Sequence, residues 1–474
     1  MPRFESEDRF WEIERDGRKI RIRWGLLGED GEQTVRVEHF VAVAKRQFEE
    51  AIEAKLAEGY VQVEDVGLRD LCHNPSLEGR VVEELDPDSD GSAASIAWVV
   101  LGDWLSARGD VRGELIAIDE MLARRDDMSS SYEHAQLERR RRALLEAWVP
   151  RWLGDLASLC GPGRPLELQW DHGWIAGVRM GTAPGRLDLS DWRLGLRDLV
   201  PVLEYLLEHP LVWMCRKITL AELDPRGRRD YSIPLGVLAV APRRTLVRLE
   251  LGDFTEGEWA RDQSGNYRPK IRLSNLGPLE PLAGIDQWAP RLRALRLVGR
   301  QLGALPPMPQ LRALEMLVPT LTLGVRGSLI RNPWPRLERL WIRCVEVYDP
   351  WSREQLGDGT ELRGLLASLS SASLRELGVQ GPTAVLAVLE LADRLRLREL
   401  RLHRISESTA RLILEHAERL RGVERIVIED GQVEGCWPQL RERFGDRIVA
   451  VRGVFTSVDE LGPERWLPHL AWRE

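Results

Sequence analysis

The sequence predicts an α/β chain in three parts: a small N-terminal α+β module, a small helical bundle, and a long array of short parallel strands. Three observations carry this. Alternating apolar and polar residues flank Asp16–Gly17 in RFWEIERDGRKIRIRWG, which marks a β-hairpin. A series of helical periods follows between about residues 74 and 148. The pattern x-L-x-x-L-x-L then recurs, with apolar replacements, in TLVRLEL, RLRALRL, QLRALEM, RLERLWI, SLRELGV, RLRELRL and GVERIVI. At 474 residues the chain is too long for one ordinary core. The parts are bounded at 1–68, 69–160 and 161–474.

Composition narrows the class. Hydrophobic residues make up 43% and charged residues 30%, as in soluble globular proteins. Cys72, Cys160, Cys215, Cys344 and Cys436 are scattered, with no CxxC pair, so the sequence predicts reduced thiols and no structural zinc. MPRFESEDRF has no apolar run and reads as no signal peptide. No stretch reaches the roughly 18 apolar residues of a membrane span. The net charge of −8 repels polyanions at long range. Lysine occurs only at 19, 45, 55, 217 and 270, an arginine bias typical of GC-rich bacterial coding. A bacterial cytoplasmic protein is expected.

In the first part, Trp11, Ile13 and Arg15 share one strand face, while Phe10, Glu12 and Glu14 share the other. A turn at Glu29-Asp30-Gly31 leads into QTVRVEHF, another strand. Val41 to Glu58 is a helix with Ala44, Phe48, Ala51, Ile52 and Leu56 as its inward stripe, Gly59 as its C-cap, and YVQV as a returning strand. The order FWEI, hairpin, RWG-x-x-G, strand, AxxxFxxxIxxKLxxGY resembles the WGR domain, a module that accompanies DNA-dependent poly(ADP-ribose) polymerases. In those enzymes the resemblance implies that the motif's Trp and Arg lie against a DNA end and neighbouring domains. Trp24 and Gly25 match, whereas Leu26 stands at the Arg position. Eleven Lys and Arg face sixteen Asp and Glu in residues 1–68, so the module is acidic. Lys19, Arg21 and Arg23 lie on one strand face, and with Trp24 form the candidate nucleic-acid-binding set. Trp24 reads first as a core or interface aromatic.

The second part opens with Asn74 as N-cap and Pro75 at the first helical position. Helices are predicted over 92–108, 112–125 and about 132–148. LGDWLSARGDVRGELI resembles a short helical companion domain of bacterial repeat proteins, written ADWLxxxGDxRGELI, and the resemblance implies no chemistry. Gly109 caps one helix, Asp110 caps the next, and Asp103 can pair with Arg112 across the turn. Arg139-Arg140-Arg141-Arg142 spreads around its helix at about 100° per residue and makes no single patch. Glu138 and Glu146 lie four residues from Arg142 and suit pairing along that face.

In the third part the last apolar strand positions are Leu220, Leu251, Leu273, Leu297, Met316, Ile342, Val379, Leu402 and Ile428. Most spacings fall in the leucine-rich range of about 20–29 residues, which predicts an irregular leucine-rich-repeat solenoid with helices or loops outside the strands. PLELQW and RLDLSDW start the array. Residues flanking the core leucines face the concave side, and they mix Arg with Glu. A mixed ribbon suits a protein partner better than a phosphate track. The candidate protein-binding residues are Arg296, Arg339, Trp341, Arg343, Arg401 and His403, with Trp341 as the leading hot spot. Two stretched spacings add loop aromatics, Trp259 with Tyr267 and Tyr348 with Trp351.

No G-x-S-x-G, Walker loop, H-E-x-x-H or dinucleotide fingerprint occurs, and the eight histidines are isolated. The sequence therefore predicts a protein that is no enzyme and takes no cofactor or metal. It reads as an adaptor or sensor subunit in a hetero-complex with another protein, in signalling or defence. The alternative is a DNA-end sensor acting through the WGR-like module.

Overall fold

The computed structural model describes residues 3–6, 9–16, 18–26, 31–38, 41–63, 71–85, 92–123, 132–161, 164–181, 198–221, 223, 230–240, 243–252, 259–261, 267–269, 278–279, 282–299, 301–318, 323–344, 360–369, 373–403, 405–429 and 433–451. The chain is a mixed α/β protein that divides into two compact units. The first comprises residues 1–81 and 94–157, the second 82–93 and 158–474.

The first unit begins with an antiparallel sheet of β1 (Arg3–Ser6), β2 (Arg9–Asp16), β3 (Lys19–Leu26), β4 (Glu32–Val37) and β5 (Val61–Val63). Their order is β4-β3-β2-β1-β5. Helix α1 (Val41–Ala57) covers one face. Phe4, Trp11, Ile13, Ile20 and Ala44 form the core, with Ile22, Phe48, Ala51, Ile52 and Tyr60 packed around it. The hairpin register sets Asp16 opposite Lys19. That is one residue later than a turn centred on Asp16–Gly17 requires. The register places Glu14 opposite Arg21 and Glu12 opposite Arg23.

Four helices follow: α2 (Pro75–Glu84), α3 (Ser92–Ser106), α4 (Arg112–Ala123) and α5 (Tyr132–Leu153). Asn74 caps α2, its Oδ1 accepting from the Leu77 amide at 3.2 Å. The GDVRG stretch is a clamp. Asp110 accepts from the Cys72 amide at 2.9 Å and from the Arg112 amide at 3.0 Å. The Arg112 guanidinium grips the Asp110 carboxylate at 2.6 Å and donates to the Cys72 carbonyl. Both side chains are buried. Asp103 is exposed, and Arg112 takes Asp110 where Asp103 was expected, because the nearer carboxylate already sits at the helix start. The arginine run pairs between helices: Arg140 meets Glu114 at 2.7 Å and Arg141 meets Asp119 at 2.6 Å, both on α4.

The second unit is built on an eleven-stranded sheet. β6 (Leu166–Asp171) and β7 (Trp174–Met180) form an antiparallel hairpin. It turns through His172, at φ 53°, and Gly173. From β7 onward the ladder is parallel: β8 (Lys217–Leu220), β9 (Arg248–Leu251), β13 (Ala294–Val298), β15 (Ala313–Val318), β16 (Arg339–Cys344), β17 (Glu376–Gln380), β18 (Glu399–His403), β19 (Arg425–Glu429) and β20 (Ile448–Val451). Off the ladder, β10 (Trp259–Arg261) pairs with β11 (Tyr267–Pro269), and β12 (Pro278–Leu279) with β14 (Gln301–Leu302). Between the ladder strands lie α6 (Val200–Glu208), α7 (Ser232–Ala239), α8 (Ile285–Trp288), α9 (Leu323–Arg331), α10 (Thr360–Ser368), α11 (Pro382–Leu391), α12 (Glu407–Glu415) and α13 (Trp437–Phe444).

The strand leucines stack in register. Val178, Ile218, Leu249, Leu295, Leu314, Leu340, Leu377, Leu400, Ile426 and Ile448 form one continuous buried row. Each such side chain contributes about 1.5–3 kcal/mol on burial. One expected rung is absent: β9 pairs directly with β13, so no strand bearing Leu273 lies between them. Leu273 itself, and RLDLSDW, lie outside the described residues. β7 and β20 are rungs that the leucine pattern missed, since WIAGVRM and IVAV carry the row without its leucines. Among the described residues no helix is long and apolar enough to cross a membrane.

Candidate binding surfaces

The sheet of the first unit separates the candidate nucleic-acid set onto two faces. Ile20, Ile22 and Trp24 point to the α1 side, so Lys19, Arg21 and Arg23 point to the other. No single surface holds all four. Arg21 pairs with Glu14 at 2.5 Å, and Arg23 with Glu12 at 3.4 Å. The Arg23 guanidinium also lies 5.3 Å from the Phe10 ring centroid. The stripe that looked basic in sequence is neutralised from the neighbouring strand, which leaves Lys19 exposed at its end. Trp24 faces the buried Trp11 across the strands but is itself 38% exposed, beside the exposed Leu26. Gly25 explains the second letter of its motif: a Cβ there would come within 2.7 Å of the Gly31 Cα and 3.1 Å of the Phe10 ring. Arg9, opposite Leu26, and Arg36, on the edge strand, share the Trp24 side and are exposed.

The first unit also exposes an apolar helix stripe. α3 is apolar around most of its circumference. Ala97, Trp98, Leu101 and Leu105 face inward, whereas Ile96, Val99 and Val100 are exposed. The spacing i, i+3, i+4 puts these three on one outer face.

The ladder's polar side differs from the expectation. Across it run Glu167, Arg179, Thr219, Glu250, Arg296, Glu315, Trp341, Gly378 and Arg401, one per strand, in register. Arg296, Arg339, Arg401 and His403 were expected as solvent-facing contacts, yet all four are buried and engaged within the sheet. Arg296 faces Glu315 at 3.8 Å, and Arg339 binds Glu376 at 2.6 Å. Arg401 pairs with Glu399 and lies 2.8 Å from Glu429, which also receives His403 at 2.8 Å. Burial tends to lower the Arg401 pKa, but Glu399 and Glu429 outweigh it and hold the guanidinium above its ordinary value. Glu250 shows the converse. Burial raises its carboxyl, but Arg248, Lys217 and Arg296, with a hydrogen bond from Thr219 at 3.0 Å, bring it down to about 2.

Trp341 is 3% exposed rather than a free hot spot. Its ring lies across Gly378 on the next strand, where a Cβ would meet Cδ1 at 2.8 Å. Arg339 and Arg401 approach the same ring at 5.2 and 4.7 Å from its centroid. The glycine opens the slot, and the two cations close over the indole. Gly378, paired with Trp341 in register, is the sequence signal that would have given this away. Arg343 lies on β16 and Trp259 on β10, but their side chains fall outside the described residues, as do Tyr348 and Trp351 altogether.

Two further features escaped sequence reading. Asp171, at the end of β6, binds His172 of the β6–β7 turn at 2.6 Å and also Arg216, which immediately precedes β8. Burial would raise the Asp171 carboxyl, but these two partners hold it well below the ordinary range. In the first unit the buried Glu78 has its pKa raised by burial, against the pull of His73 at 2.5 Å.

Residues 3–66 match the WGR domain family. No curated protein matches the chain. Among solved structures, the chain is similar to the crystal structure of a structural-genomics target protein from Bacteroides fragilis, at 16% identity and a TM-score of 0.41, over 96% of this chain and 97% of that one.

Proposed function

We propose that the chain is a non-catalytic docking protein of the bacterial cytoplasm that holds another protein in a hetero-complex, with a WGR domain, a helical companion domain and a leucine-rich-repeat solenoid in that order. The observation that carries the reading is the stripe of Ile96, Val99 and Val100. Three aliphatic side chains at helical spacing stay exposed while the opposite face of α3 is buried. Such a stripe suits an apolar groove on a partner. The ladder's polar side serves the protein's own sheet, which moves the docking role to the first unit. Burial pushes the thiols of Cys160 and Cys215 up to about 12, so both stay protonated and poorly nucleophilic at neutral pH. The test is co-purification from the native host at native expression, comparing the wild type with Ile96→Glu/Val100→Glu. A stoichiometric partner lost on substitution, with unfolding unchanged, is the expected result. A partner retained by the variant overturns the choice of surface.

The WGR domain carries a second reading, contact with a nucleic-acid end. Its supporting observation is the half-exposed Trp24 with Arg9 and Arg36 on the same side of the sheet. In a titration with blunt or nicked duplex, Trp24→Ala and Arg9→Ala then weaken a salt-sensitive affinity, while Arg21→Ala leaves it unchanged. Absence of saturable binding removes this reading.

A further inference from the structure

The edge strand β4 is open and self-complementary. In the sheet order β4 has β3 on one side and, among the described residues, no strand on the other. Glu32, Gln33, Val35, Arg36 and Val37 are all exposed. The Glu38 amide donates to the Arg18 carbonyl at 2.9 Å, continuing the β3–β4 register of Arg36 with Ile20 and Thr34 with Ile22. Antiparallel pairing alternates, so Glu32, Thr34 and Arg36 spend their backbone groups on β3. The amides and carbonyls of Gln33, Val35 and Val37 point away from the sheet. An exposed strand with free donors and acceptors is a template for another strand unless charge or proline blocks it. Here no proline interrupts β4, and the two charges are opposite in sign and four residues apart.

We propose that two copies of this chain associate by antiparallel pairing of β4 with β4, about a two-fold axis at Thr34. In that register Glu32 of each copy stands opposite Arg36 of the other, and this happens twice. Thr34 meets Thr34 between them, a cross-strand pair that can hydrogen-bond. Gln33 stands opposite Val35, and these are the residues whose backbone groups are free, so the hydrogen-bond parity is met. Shifting the axis to Val35 brings Glu32 against Glu38, and shifting it to Arg36 brings Arg36 against itself. The register at Thr34 satisfies the charges, while Val35, apolar and exposed, meets the Gln33 side chain of the second copy on the opposite face. The contact joins two five-stranded sheets into one of ten strands. It rests on neither functional reading above.

The test is sedimentation of the full chain from micromolar to sub-millimolar concentration. A reversible dimer is expected. Arg36→Glu and Glu32→Arg each set like charges opposite one another twice, so each weakens the dimer at least about tenfold. The double exchange Glu32→Arg/Arg36→Glu restores the pairing and returns the affinity to within about threefold of wild type. Val35→Pro removes an outward amide that β3 does not use, a position where an edge strand tolerates proline, and also weakens the dimer. A monomer across the range overturns the proposal. So does a dimer indifferent to the single reversals, or a folded double exchange that stays monomeric.

Discussion

The hairpin β2–β3 and the ladder β15–β19 both carry Arg and Glu on alternate positions of adjacent strands, and they use them differently. On the hairpin, Arg21 and Glu14 are each about half exposed. On the ladder, Arg401 and Glu429 are nearly enclosed. The same alternation of letters therefore gives a screened surface pair in one place and a buried network in the other. A Coulomb pair in water is worth little because solvent competes for both charges, whereas an enclosed pair cannot lose one member without stranding the other. Charge alternation in a strand reveals pairing, and burial decides whether that pairing matters.

The comparison is sharpened by removing one charge from each region. Arg401→Ala removes the buried guanidinium shared by Glu399 and Glu429, leaving Arg425 beside the first and His403 beside the second, and a loss of about 3 kcal/mol in second-unit stability is expected by calorimetry. Next comes pH. The Glu250 carboxyl has a folded value of about 2 against an ordinary 4.5. A depressed carboxyl stabilises the fold above its unfolded value, so the contribution is complete above about pH 4.5 and is lost as pH falls toward 2. Its size is on the order of 3 kcal/mol. Acid unfolding of Glu250→Gln should show a correspondingly flatter slope in that window, and an unchanged slope would break the claim that the ladder charges are interior.

Gly378→Ala is smaller, about 1–3 kcal/mol, because the indole of Trp341 must shift to admit the methyl group. Red-shifted tryptophan emission should accompany it. Smallest is Arg21→Ala, expected below about 1 kcal/mol in the first unit and vanishing at high salt. A large effect there would erase the distinction between the regions.

Much of this architecture was legible from residue order alone. The leucine spacing located eight rungs, and the WGR resemblance located the first sheet and its helix. Three things were not. Period-2 alternation tells which face Trp341 takes, yet whether that face is wet depends on what the neighbouring strands place over it. Leu273 fits the spacing rule, but β9 and β13 bond directly. The hairpin slipped one residue from the turn that Asp16–Gly17 suggested, because the strands' apolar faces, and the ion pairs they carry, fix register together with the turn. The open edge at β4 was invisible for a different reason: QTVRVEHF reads as a strand, but the sequence does not say how many neighbours a strand has.

A sheet passes load mainly between adjacent strands, like links that touch only the next link. The indole of Trp341 breaks that rule by starting on β16, bridging the glycine of β17 and meeting the guanidinium on β18. It acts as a rivet through three plates, so amide exchange in these strands should open as one block, not strand by strand.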